Sequence, residues 1–310
     1  MASRLSYLFA TAVLSGTVAP VAAGPACPAL TTTRGDFCFS GEQLMLTRFE
    51  VCGDTAMVCA NGTSSEYCAA IDLAKGTYSR LSKPPAIAAP ATQISVKGKE
   101  VQLCVGTRCT ATDLPVSEDP YAVDLSADGS RAVVTTANAL GHVVVLDATT
   151  GKRVREIALK RGEGDLYGPA YFVGDTILAL VGRWPYYEYG WLVWPDGATR
   201  RIEGTTFGRG RPFALGGQRW AFPTYGGATV IVVNTDTGKL ELSPAPPSST
   251  PWCDRCFKLA DDPSKAPRNV GMTGGGQLVM LNNFGAQLVD PKTLTVTKTI
   301  PLQGCTPPPR

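Results

Sequence analysis

Three groups of side chains have the types and spacing from which chemistry is usually built. The first is Trp252-Cys253-Asp254-Arg255-Cys256, two thiols at C-x-x-C spacing. Thiol–disulfide exchange from such a pair needs the first sulfur at a helix N-terminus, where its pKa falls. The preceding stretch, Ser243 to Pro251, carries four prolines and no βαβ pattern. Haem attachment fails as well, because Phe257 stands where C-x-x-C-H needs histidine. A loop-clamping disulfide is the expectation. The second group is oxygen-rich: Glu163, Asp165, Glu188, Asn282 and Asn283 would suit Ca²⁺ if the chain made them converge. The sole histidine, His142, has no G-x-S-x-G elbow or other activated nucleophile beside it, so it reads as an ordinary strand residue. The third group is Arg183-Trp184-Pro185-Tyr186-Tyr187-Glu188-Tyr189-Gly190-Trp191, with five aromatic residues in nine. Flat rings offer contact area to sugars or peptides at small entropic cost. Tyr186, Tyr187 and Tyr189 are expected to be solvent-accessible for that purpose. Arg209-Gly210-Arg211 and Arg200-Arg201 would place guanidinium groups near an anionic ligand, although solvated surface charge explains them as simply.

The elements that must position these groups are strands. The 310-residue sequence contains 33 glycines and 24 prolines, which interrupt it too often for long helices. Its Val/Ile/Thr/aromatic runs are short and bounded by turn residues. A net charge of +3 with no Lys/Arg cluster disfavours nucleic acid as a partner.

Met1 to Gly24 holds one basic residue, Arg4, then an apolar run from Leu5 to Leu14 and the small-residue site Val21-Ala22-Ala23. This pattern predicts a secretory signal peptide over residues 1–23 and a single mature domain over 24–310. A membrane span is not expected, since Ser15, Gly16, Thr17 and Pro20 break the run too early. Gly24-Pro25-Ala26 makes a poor lipobox before Cys27.

All ten cysteines lie beyond residue 23, an even number behind an export signal, which favours disulfides over metal. Cys104 and Cys109 flank a short hairpin, and Cys59 and Cys68 flank Asn61-Gly62. Both pairs are expected to bridge. Proximity also pairs Cys253 with Cys256 and Cys38 with Cys52, leaving Cys27 and Cys305 as a clasp between distant ends, although these last two pairs could exchange partners. Asn61-Gly62-Thr63 is a glycosylation sequon if the host is eukaryotic.

Residues 120–159 parse into four strands, Tyr121–Ser126, Arg131–Thr136, His142–Asp147 and Arg153–Leu159, separated by Asp128-Gly129 and by a polar turn from Asp147 to Gly151. The segment resembles YVTN-type and WD-repeat-like propeller blades, with D-x-S-x-D-G followed by V-x-D-x-x-T-G-K. Less similar units follow the same grammar around residues 44–82, 93–114, 171–203, 212–243 and 270–300. The resemblance implies an all-β propeller of six four-stranded blades, with five to seven blades compatible. A β-sandwich, or two small β domains divided near Pro84 to Pro90, is the alternative. In a blade, the loop between the second and third strands shares the mouth of the disc with the linker to the next blade. The mouth then collects His142, Trp184 to Gly190, Asn282 and Asn283, while Trp191 and Trp194 pack between blades.

The functional expectation is a secreted or periplasmic, monomeric, non-catalytic module that binds a protein or glycan through Trp184, Tyr186, Tyr187, Glu188, Tyr189, Asn282 and Asn283, with no cofactor. A propeller hydrolase, lactonase or lyase with Ca²⁺ or carboxylates in the channel is the other reading. A quinone-dependent dehydrogenase is disfavoured, since such propellers show an adjacent cysteine pair and repeated Trp motifs.

Overall fold

The computed structural model describes residues 32–33, 45–61, 66–81, 92–137, 142–160, 165–182, 187–203, 207, 211–223, 230–243, 269–282 and 285–301. They form six antiparallel sheets arranged as a six-bladed β-propeller. Blade one contains β2 (Met45–Cys52), β3 (Thr55–Asn61), β4 (Glu66–Asp72) and β5 (Thr77–Leu81), with β1 (Thr32–Thr33) added outside β5. Blade two has three strands, β6 (Thr92–Lys97), β7 (Glu100–Val105) and β8 (Arg108–Ala111). Blade three contains β9 (Pro120–Leu125), β10 (Arg131–Thr136), β11 (Val143–Asp147) and β12 (Arg153–Ile157). Blade four contains β13 (Leu166–Val173), β14 (Thr176–Gly182), β15 (Tyr189–Val193) and β16 (Thr199–Ile202). Blade five contains β17 (Phe213–Gly216), β18 (Arg219–Pro223), β19 (Val230–Asn234) and β20 (Leu240–Leu242). Blade six contains β21 (Val270–Met272), β22 (Leu278–Asn282), β23 (Gly285–Val289) and β24 (Val296–Ile300). Blade two therefore departs from the four-strand expectation.

A blade has two faces, and burying both requires neighbours. Among the described residues, shared apolar clusters join blade two to three, three to four, four to five, five to six, and six to one. The last of these closes six onto one, and among the described residues the two sheets share no strand. A Cβ on Gly271 would lie 2.5 Å from Val51, so only glycine lets β21 come this close to β2. The Gly274 N–H donates to the Gly53 carbonyl at 3.0 Å.

A second set of contacts runs round the ring at the turns between third and fourth strands. Each is a cation of one blade donating to a turn carbonyl of the next. Arg108 donates to Ala148 at 3.3 Å, Arg155 to Trp194 at 3.3 Å, Arg200 to Thr237, and Arg219 to Pro291 at 2.9 Å. Lys298 completes the series on blade one, donating to Leu73 at 3.0 Å and Ala74 at 2.7 Å. Register explains the donors: Arg155, Arg200 and Lys298 each pair with the third-strand residue two before the turn. Blade five has Glu241 at that position, opposite Val232, and Glu241 instead holds Arg219 at 2.9 Å.

The accepting turns are built by local chemistry. Asp72, Asp147, Asn234 and Asp290 each turn a side-chain oxygen onto backbone N–H groups two or three residues ahead. The residue four positions on has a positive φ: Gly76, Gly151, Gly238 and Leu294, at 77°, 70°, 63° and 58°. This is the left-handed region that favours glycine. Leucine there costs about 1–2 kcal/mol of backbone energy, but Leu294 is buried between blades five and six, and burying a leucine contributes about 1.5–3 kcal/mol. Packing wins at that turn.

Both hairpin pairs expected from the sequence are bridged: Cys59–Cys68, with Cα atoms 4.1 Å apart, and Cys104–Cys109 at 4.0 Å. Cys52 is also disulfide-bonded, whereas Cys27, Cys38, Cys253, Cys256 and Cys305 lie outside the described residues.

Two predictions follow from the turns. Leu294→Gly should relieve the backbone but lose the cluster, for a net loss of about 2 kcal/mol. Gly151→Ala, whose Cβ would sit 2.2 Å from the Ala111 carbonyl oxygen, should cost about 3 kcal/mol. By comparison, Gly53→Ala, with nothing within 4 Å, should cost only about 1 kcal/mol. Urea titrations with disulfides intact check the order; a Leu294→Gly protein more stable than the parent would contradict it.

The second prediction concerns acid. Backbone N–H groups of Lys75, Thr150 and Lys292 are the main cause holding Asp72, Asp147 and Asp290 below the ordinary Asp value of 3.8. Because the folded values are depressed, this stabilisation is complete above about pH 4 and is lost as pH falls through the folded values. Changing all three to Asn, the residue blade five already uses, should keep the turns and flatten the fall in Tm between about pH 5 and 2. A parallel fall in parent and triple variant would refute the assignment.

Candidate functional site

The site hypothesis centres on the mouth of blade four, where the aromatic run enters β15. Tyr187 forms an isolated antiparallel bridge with Phe207, whose N–H donates to the Tyr187 carbonyl at 2.9 Å. Its ring lies directly over Gly168 of β13, where an added Cβ would come within 2.3 Å. Beneath it, Phe207 meets Phe222 edge to face at 5.8 Å. Tyr187 is therefore only 7% exposed.

Tyr189 is 3% exposed, and its hydroxyl donates to Asp165 at 2.8 Å, with Asp165 itself buried. The Arg201 guanidinium lies 3.9 Å above its ring. Both tyrosines correct the expectation of accessible rings. Their area is spent inside, because a small residue at 168 and an acceptor at 165 let them settle against the start of β13. Glu188, between them in the alternation of the chain, is exposed. Leu166, at the same lip, is 51% exposed. Trp184, Tyr186, Asn283 and Glu163 lie outside the described residues, and Asn282 ends β22 opposite Gly285.

Neighbouring aromatics tie the linker before β13 to the sheet. Tyr167 donates to the Leu159 carbonyl at 2.8 Å and accepts from the Leu159 N–H. Trp191 donates to the Lys160 carbonyl at 3.1 Å. Trp191 packs against the cluster between blades three and four, while Trp194 packs between four and five and donates to Thr235 at 2.9 Å. Tyr167 and Trp191 fasten the mouth end of blade four, whereas Trp194, in the turn between β15 and β16, secures the opposite end of the blade.

Toward the inner strands, Arg211 approaches Asp124 at 3.6 Å and donates to the Val123 carbonyl at 3.4 Å. Asp124 also accepts the Phe172 N–H at 2.9 Å. Beside them, complete burial pushes the Tyr171 phenol well above the ordinary tyrosine range, so it acts as a neutral group. Of the arginines considered for anion binding, Arg209 lies outside the described residues and the other three are engaged by the fold: Arg211 by Asp124, Arg200 by Thr237, and Arg201 by Glu203 and the Tyr189 ring. His142 sits just before β11, with Nδ1 2.9 Å from Glu156.

Of the proposed oxygen ligands, Asp165 serves Tyr189 and Glu188 faces solvent. Among the described residues, no three His, Cys, Asp or Glu side chains form a group that would hold a metal ion. The described residues also contain no helix long and apolar enough to cross a membrane.

No family model and no curated protein matches the chain. Among solved structures it is similar to BamB from Moraxella catarrhalis, with a TM-score of 0.45 and 16% identity, over 67% of this chain and 63% of that one. It is also similar to the WD40 β-propeller domain of Doa1, with a TM-score of 0.40 and 10% identity, over 84% and 70% of the two chains. A third likeness is to U3-55K, at a TM-score of 0.40 and 10% identity, over 86% and 67%. The chain thus spans less than two thirds of the first of these proteins, and at such identities each likeness concerns the fold alone.

Proposed function

We propose that this propeller is an exported, non-catalytic binding module, whose mouth at blade four takes a protein or glycan partner. The observation that carries this reading is the anchoring of the aromatic segment. Tyr187 and Tyr189 are buried on either side of exposed Glu188, so the segment starts from a fixed base. A contact surface on a fixed base loses little entropy on binding. The contact residues in this reading are Glu188, Leu166, Trp184 and Tyr186, with Tyr187 and Tyr189 in a supporting role. This reading assigns Asn282 and Asn283 to the same mouth. Export is supported by the disulfides of all five described cysteines, which persist in oxidising compartments. The reading takes residues 1–23 as the export signal and residues 24–310 as one domain.

The test separates contact from support. Placing a photo-crosslinking residue at Glu188 should capture one polypeptide reproducibly in the native host, or a glycan array should return one glycan class. Trp184→Ala with Tyr186→Ala should remove that capture without moving Tm. Tyr189→Phe should instead cost about 1–3 kcal/mol, because it leaves the buried Asp165 carboxylate without that donor. Capture unaffected by the double variant would refute the mouth assignment. Saturable Ca²⁺ binding in calorimetry, abolished by Glu163→Gln, would favour the channel-enzyme reading.

A further inference from the structure

The two hairpin disulfides are alike in construction and unlike in access. Cys59 and Cys68 are register partners on β3 and β4, and Cys104 and Cys109 are register partners on β7 and β8. Each bridge therefore joins directly opposed residues of an antiparallel pair, with Cα atoms 4.1 and 4.0 Å apart. Cys59, Cys68 and Cys104 are at most 3% exposed, whereas Cys109 is exposed.

Thiol–disulfide exchange begins when a thiolate attacks one sulfur in line with the bond, so access along that line sets the rate. A bridge between opposed residues lies across its two strands, and each end of the line points toward the next strand of the sheet. β3 and β4 are flanked by β2 and β5, so both approaches to Cys59–Cys68 cross a neighbouring strand. β8 is the last strand in the described sheet of blade two, and exposed Cys109 is approached from the rim.

The strand that carries Cys109 also holds blade three. Alternation places Arg108 and Thr110 on the opposite side of β8 from Cys109. Arg108 donates to the Ala148 carbonyl at 3.3 Å, and the Thr110 hydroxyl donates to the Thr149 carbonyl at 3.5 Å. Both acceptors belong to the turn that runs from Asp147 to Gly151. β8 has only four residues, and the bridge pins it to β7 at the residue between these two donors.

We propose that Cys104–Cys109 is a thiol-exchange site, taking a dithiol reductant at Cys109, and that its opening loosens the hold of β8 on blade three. One thiolate of the reductant bonds to the Cys109 sulfur, and Cys104 leaves as a thiolate that takes up a proton. The second thiol of the reductant then attacks its own mixed-disulfide sulfur and releases Cys109 as a thiol. The chain gains two electrons and two protons, and the dithiol becomes a disulfide. Nothing in this exchange depends on what the mouth binds, and buried Cys59–Cys68 serves as its internal reference.

Dithiothreitol is the probe, applied to the folded full chain for increasing times, followed by acid quenching, alkylation and peptide mapping by mass spectrometry. Cys104 and Cys109 should become alkylated at least about ten times faster than Cys59 and Cys68. A pulse of hydrogen exchange, given when only Cys104–Cys109 has opened, should show exchange at least about three times faster over residues 108–112 and 147–152, with β13–β16 unchanged. Equal reduction rates for the two bridges, or slower reduction of Cys104–Cys109, would overturn the proposal. So would selective reduction that leaves exchange over residues 108–112 and 147–152 at the rate of the bridged protein.

Discussion

The constraint on which the structure depends is that no blade can bury both faces by itself, so the ring exists only through its junctions. Each working junction uses two interactions of different character. Apolar side chains of facing sheets supply most of the energy, without direction. The clasp adds direction, since a charge-assisted hydrogen bond to a turn carbonyl fixes how one blade sits against the next. The accepting turn must leave space for the donor. A Cβ on Gly76 would be 3.2 Å from Lys298, and one on Gly238 would be 2.7 Å from Arg200. One glycine therefore closes the turn and admits the cation that crosses it. Where the turn has Leu294, the donor arrives from β18 as Arg219.

The mouth depends on the same framework. Trp191 and Trp194 take part in junctions on the two sides of blade four, the blade that carries the mouth segment. Tyr187, Tyr189 and Tyr167 then bind that segment to the start of β13. Aromatic density here is first a structural device and only at its exposed edge a surface for contact. The buried Tyr171 phenol and the Arg211–Asp124 contact similarly connect inner strands of different blades.

Much of this was legible in the sequence where local chemistry decides the outcome. The strands of blade three fall within two residues of their reading, because Asp128-Gly129 and the Asp147–Gly151 turn define both ends by hydrogen bonds within a few residues. The two hairpin disulfides were readable for the same reason. The burial of Tyr187 and Tyr189 was not, since it depends on Gly168 and Asp165, about twenty residues away and brought alongside only by sheet pairing. The clasps carry a faint signal: a cation two residues before the buried end of the fourth strand, as in Arg155-Glu156-Ile157, Arg200-Arg201-Ile202 and Lys298-Thr299-Ile300. Read along one chain, such a cation looks like ordinary surface charge. Its acceptor becomes visible only when the neighbouring blade is in place.

Loss of a clasp should loosen the junction that it holds. Lys298 joins blade six to blade one, and Arg200 joins blades four and five. Hydrogen exchange by mass spectrometry on Lys298→Met and Arg200→Met tests this most directly. Faster exchange at the blade six–blade one junction in Lys298→Met, and at the blade four–blade five junction in Arg200→Met, is the predicted result. Unchanged exchange at the junction whose clasp has been removed would contradict the account.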